Sequence, residues 1–285
     1  MKTKLAKIEM DQFLDIKCPG IAYLLGFIWA DGFVSRDDNR IAITMNQNDS
    51  PEIIKIITQT GEWRFYYKKH KDHPSWISSV SIAKYDKNLN CFLKENDYCE
   101  KSFKSPDKIL SKIPENLKHY WWRGYFDGDG CINLTSNHRR ASICSTFDQD
   151  WTFAEALSLK LGFDFAVEKT KRLNKVSQKE NKYSKIHIQN FKSLDLFFSY
   201  IYRDYETDKI GFQRKHDKWL IIKQCLLERK PKTSAYKYIC FNQGNLKWKA
   251  NYKKKHLGWF DSEDKAFAAQ KKYLTDNNLE MVNLA

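Results

Sequence analysis

The 285-residue sequence has no apolar run long enough for a bilayer: the longest, Ile21–Ala30, falls well short of the roughly 20 residues a spanning helix needs. Its N-terminal MKTKLAKIEMDQF has no apolar h-region, so no secretory leader is expected. It also has no CxxC pair. The seven cysteines (Cys18, Cys91, Cys99, Cys131, Cys144, Cys225 and Cys240) are scattered and odd in number, which argues against a disulfide framework and a zinc module. A reduced protein of the cell interior is expected, in the cytoplasm of a bacterial or phage-infected cell or in an organelle matrix. Glycine-rich phosphate loops and a Ser/His/Asp arrangement are both missing. Acid is in short supply: 35 acidic residues face 49 basic ones, for a net charge of +14. That imbalance points to a polyanionic partner, nucleic acid before membrane. The hydrophobic fraction of 42% supports a packed core, and the length allows two or three modest units.

What the sequence does contain is a repeat. Residues 120–130 read YWWRGYFDGDG, an aromatic helix-like run that ends in two aspartates separated by glycine. Residues 23–33, YLLGFIWADGF, align with 121–131, WWRGYFDGDGC. Gly26 meets Gly124, Phe27 meets Tyr125, Ile28 meets Phe126, Asp31 meets Asp129 and Gly32 meets Gly130, at a constant offset of 98. The flanks match in kind. FVSRDDNRIAITMNQ reads as a hairpin, SPEIIKIITQTG as a helix with Ser50 as N-cap and Pro51 as its first residue, and RFYYKKH with WISSVSIAKY as a second hairpin. In the second copy the same order runs through CINLTSN and RRASICSTF, the helix DWTFAEALSLKLG closed by Gly162, and FDFAVEKTKRL with KYSKIHIQN. Pro106 and Pro114 punctuate the joint between the copies.

On a helix, Gly26 and Ala30 share one face, as do Gly124 and Gly128, and small residues at that spacing let two backbones approach closely. Packed along those faces, the helices would bring Asp31 and Asp129 together at their C-termini. Each helix end already carries about half a negative charge, so the pair forms an electrostatic well that a cation would fill. A hard divalent ion with oxygen ligands suits it, Mg²⁺ or Mn²⁺. Such an ion can activate water and stabilise a leaving phosphodiester oxygen, and two quasi-equivalent acids suit the two strands of a duplex.

These residues resemble the LAGLIDADG homing endonucleases in their single-chain, two-motif form, with copies LLGFIWADG at 24–32 and WRGYFDGDG at 122–130. The resemblance implies an α+β fold of two pseudo-symmetric αββαββα halves, 1–115 and 116–230, whose motif helices meet at the interface. It implies a monomer, the product of a mobile gene of the intron-homing kind, that cuts double-stranded DNA at a long target site with Mg²⁺ (or Mn²⁺). The metal ligands it implies are Asp31 and Asp129, and Asp127 is read as a helix-end or interface residue. It further assigns Gln47, Lys101 and Lys215 to catalysis, with Gln47's counterpart falling near Phe147–Asp148. That inequality leads to the expectation that one strand is cut faster. The antiparallel sheets would straddle the major groove, with Arg36, Arg40, Lys68, Lys69, Arg139, Arg140, Lys171, Arg172 and Lys175 at the DNA. An RNA maturase or a DNA-binding transcription regulator on the same fold is the alternative, with RNA as partner in the first case. HKDH at 70–73 reads as a surface loop, since no cysteine or acid cluster accompanies it.

From 231 the pattern changes to three short strands and a helix, YKYICF, LKWKANY, KKHLGWF and SEDKAFAAQKKYLTDN, with Asp261 or Ser262 as N-cap. Residues 231–285 are similar to the APETALA-type DNA-binding domain, carried by Trp248-Lys249-Ala250, then Leu257 to Glu263, then Ala266. That resemblance places Lys237, Lys247, Trp248, Lys249 and Lys253 at the DNA. Lysines in place of a family arginine supply charge without bidentate guanine readout.

Overall fold

The computed structural model describes residues 15–68, 78–134, 139–173, 180–227, 236, 238–242, 247–253 and 255–279. The chain forms two compact units, the first ending at Leu220 and the second starting at Ile221. Both repeats lie in the first.

The first repeat runs α1 (Pro19–Asp31), β1 (Gly32–Val34), β2 (Arg40–Asn46), α2 (Ser50–Ile57), β3 (Arg64–Lys68), β4 (Ser79–Tyr85) and α3 (Lys87–Glu95). A short helix, α4 (Asp107–Lys112), occupies the joint that Pro106 and Pro114 frame. The second repeat runs α5 (Lys118–Asp129), β5 (Gly130–Leu134), β6 (Arg139–Thr146), α6 (Thr152–Leu161), β7 (Ala166–Leu173), β8 (Glu180–Ile188) and α7 (Phe191–Ile201), followed by α8 (Tyr205–Asp208) and α9 (Gln213–Leu227). Local chemistry sets the boundaries. Asp86 Oδ1 accepts from Leu89 N at 3.1 Å to open α3, and Asn190 Oδ1 accepts from Ser193 N at 2.7 Å to open α7. Gly162 closes α6 at φ 74°, the left-handed region that a side chain resists. Ser50 differs from expectation. It is the first residue of α2, its N-cap position is Asp49, and its hydroxyl donates back to the Gln47 carbonyl at 2.8 Å.

Each repeat builds a four-stranded antiparallel sheet of the same order, β1-β2-β4-β3 and β5-β6-β8-β7. The registers correspond: Gly32 pairs with Ile43, and Gly130 with Ile143, the second hairpin closing two residues later. Alternation sends Ile41, Ile43, Val80 and Ile82 into one core and Ile132, Ile143, Ile186 and Ile188 into the other. The opposite face of the first sheet carries Arg40, Thr44, Arg64, Tyr66, Lys68 and Ser81.

Helix α1 is buried on all sides from Ile21 to Trp29, because α5 covers one face and the two repeats' cores cover the rest. A Cβ at Gly26 would fall on the Trp121 carbonyl, and one at Gly124 on the Tyr23 carbonyl. The two backbones therefore touch reciprocally at these glycines. One turn further on, a Cβ at Gly128 would collide with the Ala30 methyl and lie 3.2 Å from Asp31 Oδ2.

The second unit holds β9 (Ile239–Asn242), β10 (Lys247–Tyr252) and β11 (Lys255–Phe260) in the antiparallel order β11-β10-β9, with α10 (Glu263–Asp276) packed on one face. Ser262 caps α10, its hydroxyl accepting from Lys265 N at 3.2 Å. Ile239, Phe241, Trp248, Ala250 and Ala266 form the core. Trp248, expected at the DNA, is only 3% exposed. In a strand where Lys247 and Lys249 point outward, the residue between them must point inward, and the indole fills the gap beneath α10. Among the described residues no helix is long and apolar enough to cross a membrane.

Candidate active site at the two helix ends

Asp31 is the last residue of α1 and Asp129 the last of α5. After each, the chain leaves at once in extended conformation, through Gly32 at ψ 151° and Gly130 at ψ 149°. Glycine is needed there because a Cβ would strike the carbonyl of Ile28 or of Phe126 in the preceding helical turn. Neither carboxylate accepts a hydrogen bond from the protein among the described residues. Desolvation by the packed helix ends raises the Asp31 carboxyl above its ordinary value, although Lys101 and Lys215 oppose the shift. Asp129 is half-buried, and burial together with the neighbouring Asp31 charge pushes it up to about 7.

Two lysines bind the helix ends themselves. Lys101 Nζ donates to the Ile28 carbonyl at 3.1 Å and to the Ala30 carbonyl at 2.6 Å, closing α1. Lys215 Nζ donates to Phe126 O at 2.8 Å, Asp127 O at 2.7 Å and Gly130 O at 2.6 Å, closing α5. Each ammonium thus adds a donor to the terminal carbonyls of its helix, of which Ile28 and Phe126 also accept the N–H of Gly32 and Gly130, and offsets the negative end of its dipole. Burial lowers both lysines to about 8, against the pull of Asp129 and Asp31 on Lys101 and of Asp127 and Asp31 on Lys215.

Each lysine segment is held from the opposite repeat. Gln149 Nε2 donates to the Lys104 carbonyl at 3.1 Å, and the Thr146 hydroxyl donates to the Ser102 carbonyl. On the other side, Arg214 grips Asp49 through two bonds of 2.7 and 2.8 Å. Asp49 and Gln149 occupy corresponding places just before α2 and α6. A cavity of about 160 Å³ opens beside Asp129, lined by Trp29, Lys101, Ser145 and Gln149 among others.

The remaining sequence assignments fare unequally. Gln47 lies exposed at the start of a 3-10 turn, Gln47–Asp49, while Asp49 is the side chain whose charge reaches Asp31. In the second repeat the Phe147 ring carries the ammonium groups of Lys169 and Lys171, 5.3 and 5.2 Å from its centre. The residue that lines the cavity is Gln149, two positions on, whose Oε1 accepts from the Ser145 hydroxyl at 2.8 Å. Asp127 is only 2% exposed and does lie in the interface, accepting from the Tyr23 hydroxyl at 2.8 Å and from Phe212 N at 2.9 Å. Burial raises its carboxyl, with Lys215 as the main opposing charge. Arg40 and Lys68 sit on the outer sheet face of the first repeat and Arg140 on that of the second, whereas Arg36 donates to the Cys99 carbonyl at 3.3 Å. Arg139 stacks 5.6 Å from the Phe191 ring, and Lys171 lies on the face of β7 opposite to Glu168 and its partner Lys185. In the second unit Lys247 and Lys249 point outward, Lys249 lying 5.7 Å from the ring of Trp259, and Lys253 occupies a left-handed turn at φ 50°. Lys69, Lys175, Lys237 and the side chain of Arg172 lie outside the described residues, as does HKDH.

Sequence reasoning also missed Arg123, which is fully buried. It donates to the carbonyls of Ile201 at 2.6 Å and Ile210 at 2.8 Å and pairs with Asp208 at 3.0 Å, which pins the segment leading to Lys215 against α5. Its signal was a charge in the middle of an otherwise apolar helix.

No group of three His, Cys, Asp or Glu residues is placed to hold a metal among the described residues. The donor set is the two carboxylates, hard oxygens without protein partners at two negative helix ends. It fits an ion that keeps most of its shell as water, as Mg²⁺ does.

No curated protein matches the chain. The fold is similar to that of a variant of I-SmaMI, at 14% identity and a TM-score of 0.47, covering 74% of this chain and 91% of that one. It is similar also to the homing endonuclease I-WcaI bound to its DNA recognition sequence, at 17% identity and a TM-score of 0.47, covering 76% and 93%. A third similar structure is the N-terminal LAGLIDADG domain of DUF199/WhiA, at 15% identity and a TM-score of 0.43, covering 76% and 97%. Residues 116–202, the repeat that carries Asp129, match the family model of the LAGLIDADG-like domain.

Proposed function

We propose that the protein is a monomeric, site-specific double-strand DNA endonuclease dependent on Mg²⁺ (or Mn²⁺), a homing endonuclease. The observation that carries this reading is the pair of carboxylates, Asp31 and Asp129, without hydrogen-bond partners among the described residues, at the abutting ends of two helices in a chain of net charge +14. The LAGLIDADG-like second repeat supports it. Asp31 and Asp129 would hold the ions. A bound divalent ion lowers the pKa of its water and stabilises the leaving oxygen. The protein's own part is to fix the two acids through the helix contact and to keep the helix ends neutralised through Lys101 and Lys215. Outward basic residues such as Arg40, Lys68 and Arg140 bind the backbone and set the register on the duplex.

The second unit adds affinity, in keeping with its APETALA-type sequence. Its outward face presents Lys249 beside Trp259, which is 39% exposed. In the full chain, Lys249→Ala is expected to lower the slope of log affinity against log salt by about one, without changing the cleavage rate of bound DNA. Trp259→Ala should weaken binding about tenfold, equivalent to ~1.4 kcal/mol. An unchanged salt slope in Lys249→Ala together with unchanged affinity in Trp259→Ala would remove this face from the DNA interface.

The reading is tested by incubating the full chain with Mg²⁺ and DNA from its source and from a relative lacking the gene, then mapping the ends. Discrete double-strand ends support it. Selective binding without cuts would favour a transcription regulator, and binding to structured RNA alone a maturase.

A further inference from the structure

The two lysines look symmetric in sequence but are committed differently. An ammonium has three N–H donors. Lys215 spends all three, on Phe126, Asp127 and Gly130, and is 3% exposed. The Arg214–Asp49 pair stands at the neighbouring residue. Lys101 spends two, on Ile28 and Ala30, and its third N–H has no protein acceptor among the described residues. Lys101 also lines the cavity beside Asp129. The contrast extends to the residues that secure each lysine. The Lys215 side is secured by a bidentate ion pair. The Lys101 side is tied by the neutral Gln149, which lines the cavity with Ser145.

We propose that the two lysines divide their labour. Lys101 keeps one N–H for a water or phosphate oxygen in the Asp129 cavity and is a catalytic residue for one of the two strand cuts. Lys215 is a positioning residue, a three-carbonyl clamp that fixes the end of α5 and therefore the Asp129 carboxylate. The inference rests on the endonuclease reading and deepens it. It places the inequality between strands in the lysine donors, where the sequence had placed it at Phe147.

The chemistry is ordinary phosphodiester hydrolysis. Water adds to phosphorus as the P–O3′ bond breaks, the water's proton passes to solvent, and the leaving 3′-oxygen takes a proton from solvent to become a hydroxyl. Lys101 contributes by donating a hydrogen bond, with no net transfer. A donor aimed at developing charge in a site of this kind is typically worth about 10²–10³-fold in rate. The clamp's contribution is different in kind. A methionine at 215 would remove one donor from each of three carbonyls, of which Phe126 keeps the Gly130 N–H, a cost felt in folding as well as in turnover.

The test combines strand-resolved cleavage of end-labelled DNA with thermal unfolding of the metal-free protein, for Lys101→Met and Lys215→Met. Lys101→Met should slow one strand by about 100-fold and the other by less than about tenfold, so that nicked DNA accumulates. Lys215→Met should lower the melting temperature by on the order of 5 °C or more, clearly beyond Lys101→Met. In its folded fraction kcat should fall by one common factor on both strands with KM for DNA unchanged. Equal slowing of both strands by Lys101→Met, strand-selective slowing by Lys215→Met, or a Lys215→Met protein no less stable than Lys101→Met would each overturn the division. If Lys215→Met does not fold, the clamp is supported and the Lys101→Met strand ratio decides the rest. If the wild-type protein cuts no DNA, the endonuclease reading and the catalytic half fall together, while the melting comparison still decides the clamp.

Discussion

Asp129→Asn should abolish double-strand cleavage, by about 10³-fold or more, while leaving DNA binding intact and making the metal-free protein more stable at pH 8. The loss follows from removing one of only two carboxylates at the helix ends. The gain in stability follows from the cost of holding them there. Burial and the neighbouring Asp31 push the Asp129 carboxyl up to about 7 in the folded protein, whereas in the unfolded chain it returns to an ordinary value near 4. Its contribution to stability is therefore complete below about pH 4. It is lost progressively as pH rises to about 7 and stays lost above that. The asparagine variant carries no such charge, so its melting temperature should exceed that of the wild type at pH 8 and converge with it near pH 4. Adding Mg²⁺ should raise the wild-type melting temperature in proportion to the logarithm of metal over its dissociation constant, and Asp129→Asn much less. Calorimetry across pH, with and without Mg²⁺, measures all of this. An Asp129→Asn protein that melts below the wild type at pH 8 without metal would show that the acid is stabilised in place by its lysines, and that no cation is needed there.

The sequence showed the frame because the frame is repeated. Glycine at Gly26 and Gly124, acid–glycine at the end of each copy and matching hairpins after it can be read along the chain, and the structure joins them as the spacing requires. Other features depended on where distant segments return. Lys101 and Lys215 were legible as cations near the acids, yet their carbonyl partners lie 71–89 residues away and have no local signature. Gln149 escaped because Gln47 and Phe147 do correspond, but the residues that hold the opposite lysine segment stand two positions further on in each copy, at Asp49 and Gln149. Trp248, expected at the DNA, proved buried for a simpler reason. Period-two alternation fixes which residues share a face but not which face is covered, and α10 covers the side of Trp248. Asp127 and Arg123 were ambiguous as letters. Only the buried Tyr23, Phe212 and Asp208 partners make them struts of the interface.

Gly124→Ala should be among the most damaging single-methyl additions in the molecule. Its Cβ would fall on the Tyr23 carbonyl and lie 2.8 Å from Phe27 N. These are backbone atoms inside a helix, so no rotamer change relieves the overlap and the helices must move apart. The reciprocal change, Gly26→Ala, strikes the Trp121 carbonyl and comes within 2.9 Å of Tyr125 N. Overpacking of this kind costs about 3 kcal/mol, near the upper end of its usual range, or roughly 10 °C in melting temperature for a chain of this size. The same displacement reaches the chemistry, because Asp31 and Asp129 are the last residues of the two helices. A shift of about 1 Å between reacting groups costs on the order of 10²-fold in rate, so the folded fraction of Gly124→Ala should cut that much more slowly while binding DNA normally. Gly20→Ala, also in α1, provides the control. Its Cβ would meet only Ile56 Cγ2, at an ordinary 3.4 Å, and alanine favours the helix, so it should melt at or slightly above the wild-type temperature and cut at the wild-type rate. If Gly124→Ala and Gly20→Ala behaved alike, the two helices would not be in backbone contact, and the placement of the acid pair would fail with that contact.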